Sequence, residues 1–194
     1  MREGPTLNIP RSITVLIDNR EKDPLPMPAF IPWFLGRELK PHIIKITTKA
    51  SKLGAGDYAI EGNHQFAIIE RKGSLRELAS NFLSADWPRF QKAIEKFVDA
   101  TDHPILLVEG GYSDLTSYSG VSPQASRFQL PDPHCVLDIL NRIVVRYNLQ
   151  LTITGPTNTI AQRRMVGEFA LRMLLNHTYE TAEIEIEKEL LEKS

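Results

Sequence analysis

The stretch LGAGDYAIEGNHQFAIIERKGSL, residues 53–75, decides how this chain is read. Two apolar runs, GDYAI and QFAIIERK, flank the turn-forming EGNH, the pattern of a β-hairpin. The second run closes on three charged residues, Glu70, Arg71 and Lys72. Side chains alternate along a strand, so Ile68, Glu70 and Lys72 share one face, while Ile69 and Arg71 share the other. Asp57 opens the partner strand, and a tight turn brings its carboxylate toward that of Glu70. Two carboxylates beside a backbone carbonyl make a hard, oxygen-only pocket, which suits Mg²⁺ with several retained waters. Lys72 is placed to orient or deprotonate an attacking water and to offset charge that builds on a phosphate oxygen. The chemistry that this arrangement suits is phosphodiester hydrolysis. A solvated surface hairpin with mutually paired charges is the plainer reading of Glu-Arg-Lys taken alone. Context separates the two: the triplet ends an apolar strand, follows Gly-Asp-Tyr at hairpin distance, and lies downstream of a strand ending in Asp18-x-Arg20-Glu21.

Outward from the hairpin, strands alternate with helices. SITVLID (12–18) reads as a buried strand, AFIPWFLGREL as a short helix broken by Pro32, and PHIIKITTKA as a second strand with a basic exit. Helices are expected over Ser74–Phe82 and Trp87–Ala100, then a buried strand in HPILLVEGG. A long Gly-, Ser- and Pro-rich loop covers 110–132. Asp132-Pro133 opens a further helix, LQLTITG is a last strand, and 157–175 a last long helix. This order implies an α/β sheet with helices on both faces. The expected organisation is one domain over 1–177 and an acidic tail over 178–194. Cys135 is expected to be a small buried apolar residue, and Arg163 and Arg164, in the first turns of a helix, to need an anionic partner.

Composition narrows the function classes. The chain has 194 residues, 42% of them hydrophobic and 24% charged, enough for one full core. Its net charge of −1 argues against coating nucleic acid by bulk charge, yet the sign is uneven. Residues 36–96 carry 11 Lys/Arg against 7 Asp/Glu, whereas 178–194 carry 6 Glu against 2 Lys. One cysteine and five histidines without ligand spacing leave no zinc site, so any metal is expected to be held by oxygen. No apolar run reaches the length of a membrane span, and the N-terminus lacks the features of a signal peptide. A soluble, intracellular protein without membrane contact is expected. Lys45, Lys49 and Lys52 lead into Gly56-Asp57 and are placed to guide a phosphate backbone toward the site.

Five segments resemble the nuclease domain of the XPF family of structure-specific endonucleases: IDNRE (17–21), GDY (56–58), IIERKGSLREL (68–78), RFQKAIEKF (89–97) and PILLVEG (104–110). The resemblance runs in order over 12–110 and continues more weakly to about 176. It implies a restriction-endonuclease-like α/β fold, a mixed sheet flanked by helices. The implied activity is a Mg²⁺-dependent DNA endonuclease in repair, recombination or replication, with Mn²⁺ able to substitute. By position, Asp57 and Glu70 would bind metal, Lys72 would serve the attacking water, and Arg71 would support the site or a phosphate. Asp18 and Glu21 would lie near the metal, Arg20 would meet the substrate, and Arg89 and Gln91 would face the cleft. Lys49, Lys52 and Arg76 complete the expected DNA-binding set.

Two departures bear on these expectations. Arg76 stands where the family usually has an Asp, with Glu77 beside it, so Glu77 either takes over or the supporting acid is missing. The helix-hairpin-helix module usual after the family's nuclease domain is not expected within residues 176–194, which leaves the substrate preference open. A general or restriction-type nuclease and a catalytically silent DNA-binding or scaffold subunit are the rival readings. Homodimerisation is expected through helix 157–175, where Ile160, Val166, Phe169, Ala170 and Leu174 either make that contact or complete the domain's own core.

Overall fold

Seven strands form one mixed sheet in the computed structural model, which describes residues 10–34, 41–83, 87–111, 114, 133–155 and 157–192. The strands are β1 (Ser12–Asp18), β2 (Phe30–Trp33), β3 (His42–Ser51), β4 (Tyr58–Ile60), β5 (Ala67–Lys72), β6 (His103–Val108) and β7 (Gln150–Ile153). The described helices are α1 (Leu75–Leu83), α2 (Trp87–Val98), α3 (Pro133–Tyr147) and α4 (Ile160–Glu192). Spatial order is β2-β3-β1-β4-β5-β6-β7. β1 lies parallel to β3 and antiparallel to β4, β4 and β5 form the expected hairpin, and β5, β6 and β7 run parallel.

Each face of the sheet buries its own apolar set. On one face Val15, Ile44, Ile69, Ile105 and Leu107 meet Val166, Ala170, Leu171 and Leu174 of α4. On the other, Ala59, Ile68 and Leu106 meet Leu78 of α1, Phe97 of α2 and Leu140 of α3. Full burial of each such Leu, Ile or Phe contributes roughly 1.5–3 kcal/mol. The second face is only half covered, because α1–α3 lie over β4–β6 while Lys45, Thr47 and Lys49 of β3 stay exposed.

Local chemistry sets the element ends. Ser74 caps α1 by accepting the Glu77 N–H (3.1 Å). Asn148, at φ 49°, ends α3 in a left-handed turn closed by Leu149 N–H on Val144 O (3.0 Å). Thr159 and Gln162 form a reciprocal capping box: the Gln162 N–H donates to Thr159 Oγ1 (3.2 Å) and the Thr159 N–H to Gln162 Oε1 (3.0 Å). That box starts the last helix at Ile160 rather than at 157.

Four expectations need correcting. The segment expected as a Pro-broken helix contains β2, because Ile31 and Trp33 are buried while Phe30 and Pro32 are exposed; an edge strand tolerates a Pro. The hairpin connection is six residues, 61–66, built from two successive turns rather than EGNH alone. α4 does not stop near 175 but runs 33 residues to Glu192, about 50 Å, through the expected tail boundary. Cys135 is exposed, because α3 turns Val136, Leu140 and Ile143 inward. Asp132 and nearly all of the 110–132 loop lie outside the described residues. Among the described residues, no helix is long and apolar enough to cross a membrane.

Candidate active site

The register Tyr58↔Ile69 sets Asp57 opposite Glu70, at the end of the sheet where β1 also finishes. Each letter of Gly-Asp-Tyr has a physical reason. Gly56 has φ 67°, and a Cβ there would lie 2.2 Å from Ile68 Cγ2, so no other residue fits. Asp57 is locked by its main chain, with its N–H on Ile69 O (2.7 Å) and its carbonyl accepting the Asp18 N–H (2.8 Å). Tyr58 is fully buried, and its hydroxyl accepts the Leu25 N–H (2.9 Å), which ties the segment after β1 to the hairpin.

Burial, and then the charge of Glu70, push the Asp57 carboxyl up to about 7, although the Arg71 N–H donates to its Oδ2 at 2.8 Å. Lys72 Nζ lies 2.8 Å from Glu70 Oε1 and 3.8 Å from Glu77 Oε1. Burial alone would depress the Lys72 ammonium, but Glu70, Glu77 and Asp57 outweigh it, and its pKa is raised. Lys72 is therefore held as a positive charge in the cleft, suited to orienting water and holding an oxyanion. Glu77 also accepts the Gly73 N–H at Oε2 (2.9 Å), so the acid beside Arg76 does reach the cleft.

These groups line an open, mainly polar cleft of about 450 Å³ together with Arg20, Glu21 and Asp23. Among the described residues no three His, Cys, Asp or Glu side chains cluster as a ready-made metal cage. The donor set is two facing carboxylates, one of them lifted toward neutrality by burial and then by the other's charge. A hard dication that keeps most of its waters fits such a pair, because it removes the repulsion while demanding few protein ligands.

Other expected site residues are placed differently. Asp18 is buried and outside the cleft lining. Its Oδ1 accepts the Arg20 N–H (2.8 Å) and Nε–H (2.7 Å), and its Oδ2 accepts Arg20 Nη2 (3.1 Å) and the Leu53 N–H (2.8 Å). With its oxygens so engaged, first by the Arg20 side chain, its pKa is lowered and it orders the strand end. Arg20 itself stays exposed at the cleft. Glu21 lies 3.2 Å from Arg71 Nη1. Arg71 does not reach for a phosphate: its side chain is 8% exposed, its Nε donates to Glu109 Oε1, and its Nη1 donates to Asp23 O (3.0 Å).

Neither Arg89 nor Gln91 lines the cleft. Arg89 is exposed, and Gln91 borders a groove between α2 and α3 with Trp87, Arg142 and Arg146. Lys49 pairs with Glu61 (2.6 Å), Lys52 is exposed outside the cleft lining, and the Arg76 side chain lies outside the described residues.

Glu109 was absent from the expected site. Its side chain is 3% exposed, and it joins Arg71 at one oxygen and the Thr157 hydroxyl at the other. The signal available was an acid directly after the apolar run of β6, in the strand next to Glu-Arg-Lys. Arg163 of α4 meets its expectation of an anionic partner, donating to Asp23 Oδ1 (2.7 Å), Asp23 O (2.7 Å) and Pro24 O (3.1 Å). Two arginines thus clamp the Asp23–Pro24 segment that walls the cleft.

Comparison with known proteins places this geometry. No curated protein matches the chain by sequence. The fold is similar to that of XPF from Aeropyrum pernix, with a TM-score of 0.51 and 15% identity over 82% of this chain and 60% of that one. It is also similar to XPF from Aeropyrum pernix in complex with DNA, at a TM-score of 0.50 and 16% identity over 83% and 64%. The chain thus spans less than two thirds of the length of the relatives it resembles. The ERCC4 domain family model matches residues 17–162, which include the ends of β1, β4, β5 and β6 that build the cleft, and the chain belongs to the ERCC4 domain family.

Proposed function

We propose that this chain is a divalent-metal-dependent DNA endonuclease that hydrolyses phosphodiester bonds at the Asp57–Glu70–Lys72 cleft, with a preference for branched or otherwise structured duplexes. The observation that carries this reading is the facing pair Asp57 and Glu70, with the ammonium of Lys72 held at 2.8 Å from Glu70. Family membership and the DNA in the complexed Aeropyrum pernix relative support DNA as the substrate.

Asp57 and Glu70 would hold Mg²⁺, or Mn²⁺ in its place, which supplies Lewis-acid polarisation of a phosphate oxygen and an acidified water. The chain's own residues do the rest. Lys72 stays charged and aims an N–H at the oxygen on which negative charge grows. Glu70 keeps Lys72 in place, and Glu77 adds a second acidic neighbour. Arg20, exposed at the cleft rim, meets a neighbouring phosphate. The Arg71 N–H orients Asp57, while the Arg71 side chain, fixed by Glu109 and Glu21, holds that part of β5.

Self-association through α4 belongs to the same reading, on a narrower surface than expected. Val166, Ala170 and Leu174 are spent in the core, which leaves Ile160, Met165 and Phe169 facing outward for a second copy.

The test is cleavage of end-labelled flap, fork, linear and single-stranded DNA with Mg²⁺ and with chelator. Metal-dependent cutting of flap or fork above linear duplex is expected. Equal cutting of every duplex would assign a general nuclease, and binding without cutting a silent DNA-binding subunit.

A further inference from the structure

Asp57 and Glu70 stand at a boundary on one side of the sheet. Toward β5 and β6 this side is covered by α1–α3; toward β1, β3 and β2 no described helix covers it. Strand register makes the bare half a continuous surface, because Phe30 pairs with Lys45, Pro32 with Ile43, Lys45 with Ser12 and Lys49 with Leu16. Phe30 on the edge strand β2 and Ile43 on its neighbour β3 are each 59% exposed there, two large apolar side chains on one uncovered patch. Lys45 lies directly opposite Phe30 and two residues along β3 from Ile43, and Lys49 lies nearer the cleft. The three strands carry one acid, Asp18, which Arg20 neutralises. From Lys45 to Ser51, beside Asp18, is six residues of strand, about 20 Å.

We propose that this open β2-β3-β1 face receives an unpaired strand of the substrate, with Phe30 stacking on a base and Lys45 contacting a phosphate. The inference rests on the nuclease reading and adds the substrate's single-stranded part to it. An exposed aromatic on a flat sheet beside a cation stacks on any base whose face is free, and a paired base inside a duplex offers no such face. Charge favours the same occupant, since Lys45 stands on this surface with no acid of the three strands left un-neutralised, although Lys49 is held by Glu61, and the surface leads on the same side of the sheet to the facing carboxylates.

The test uses the full chain in chelator with fluorescein-labelled probes: a blunt duplex, and the same duplex carrying an oligothymidine arm of either polarity. Phe30→Ala is expected to weaken binding of an armed probe by roughly 5- to 150-fold, the loss of one base–aromatic stack, and to leave the blunt duplex unchanged. Lys45→Ala should reduce the salt dependence for the armed probe by about one counterion. If Phe30→Ala binds both armed probes as the parent does, the track is overturned, and continued metal-dependent cleavage of duplex would show that the nuclease reading survives it. If Phe30→Ala instead converts a parent dimer to monomer in sedimentation, the face belongs to a second copy and the proposal is overturned. If the parent neither binds nor cuts any probe, the nuclease reading fails and the track fails with it.

Discussion

Replacing Glu109 by Ala strips one of two charged partners from a guanidinium that cannot regain water. The Arg71 side chain is 8% exposed and that of Glu109 3%, so neither charge is solvated after folding. Breaking a buried pair by removing one partner costs about 3–5 kcal/mol, because the survivor is left uncompensated. Here Glu21 at 3.2 Å and Asp23 O at 3.0 Å still hold the Nη1 end of Arg71, which places Glu109→Ala at the lower end, about 3 kcal/mol. Glu109→Gln keeps an acceptor for Arg71 Nε but gives up charge and disturbs the Thr157 contact, so about 1–2 kcal/mol is expected. Urea denaturation of the parent, both variants, Arg71→Met and the double variant Arg71→Met/Glu109→Ala would close a double-mutant cycle. The double variant should be less destabilised than the sum of its parts, since Arg71 and Glu109 no longer leave each other uncompensated. Cleavage by Glu109→Gln, measured well below its unfolding midpoint, should fall with KM nearly unchanged, because Arg71 also carries the N–H that orients Asp57. A Glu109→Ala protein within 1 kcal/mol of the parent, with unchanged kcat, would refute this account of the network.

Four further outcomes are expected. Asp57→Asn and Glu70→Gln should retain the parent's circular dichroism and lose metal-dependent cleavage; a Glu70→Gln protein cutting at the parent rate would remove Glu70 from the site. Lys72→Ala should bind Mg²⁺ by calorimetry but lose on the order of 10² or more in rate, whereas equal loss of metal binding would make Lys72 structural. In chelator, the raised pKa of Asp57 means that the folded state holds its proton more tightly than the unfolded chain. Stability is therefore fully present below about pH 4 and is lost as pH rises through about 7, and urea midpoints that do not fall over that window, or that Mg²⁺ does not raise at pH 8, contradict the pairing. Phe169→Asp should shift a sedimenting dimer toward monomer without loss of fold, because this side chain is 48% exposed; a parent that is monomeric and fully active at micromolar concentration removes the dimer.

What could be read from the sequence was local. The hairpin, its alternation and the two strands that follow were legible because apolar periodicity and the Glu-Arg-Lys strand end constrain neighbours only a few residues apart. β2 was misread because Phe30 and Pro32 look like part of an apolar run until the edge position of the strand is known. Whether Arg71 supports the site or a phosphate stayed open because its partner, Glu109, lies 38 residues away, directly after the next strand, and no spacing rule reveals that pairing. Asp18 looked like a metal ligand for the same reason: its acidity is visible in the sequence, but the Leu53 N–H that occupies it is not. The expected α4 interface failed in part because helical spacing shows which side chains share a face, not which face meets the sheet.

The clamp on the Asp23–Pro24 segment also sets an order of events. The strands that bear Asp57, Glu70 and Lys72 come from the first 72 residues, whereas Thr157 and Arg163, which fix Glu109 and Asp23, lie more than 80 residues later. Gly167 of α4 packs so closely on Pro26 that an added Cβ would lie 2.3 Å from its carbonyl oxygen, so the helix has one seat, against this same segment. A chain emerging N-terminus first therefore has its carboxylates before it has the wall that holds them. On the nuclease reading proposed above, the cleft would be complete only once the last helix docks, and the unfinished chain would carry its carboxylates without that support.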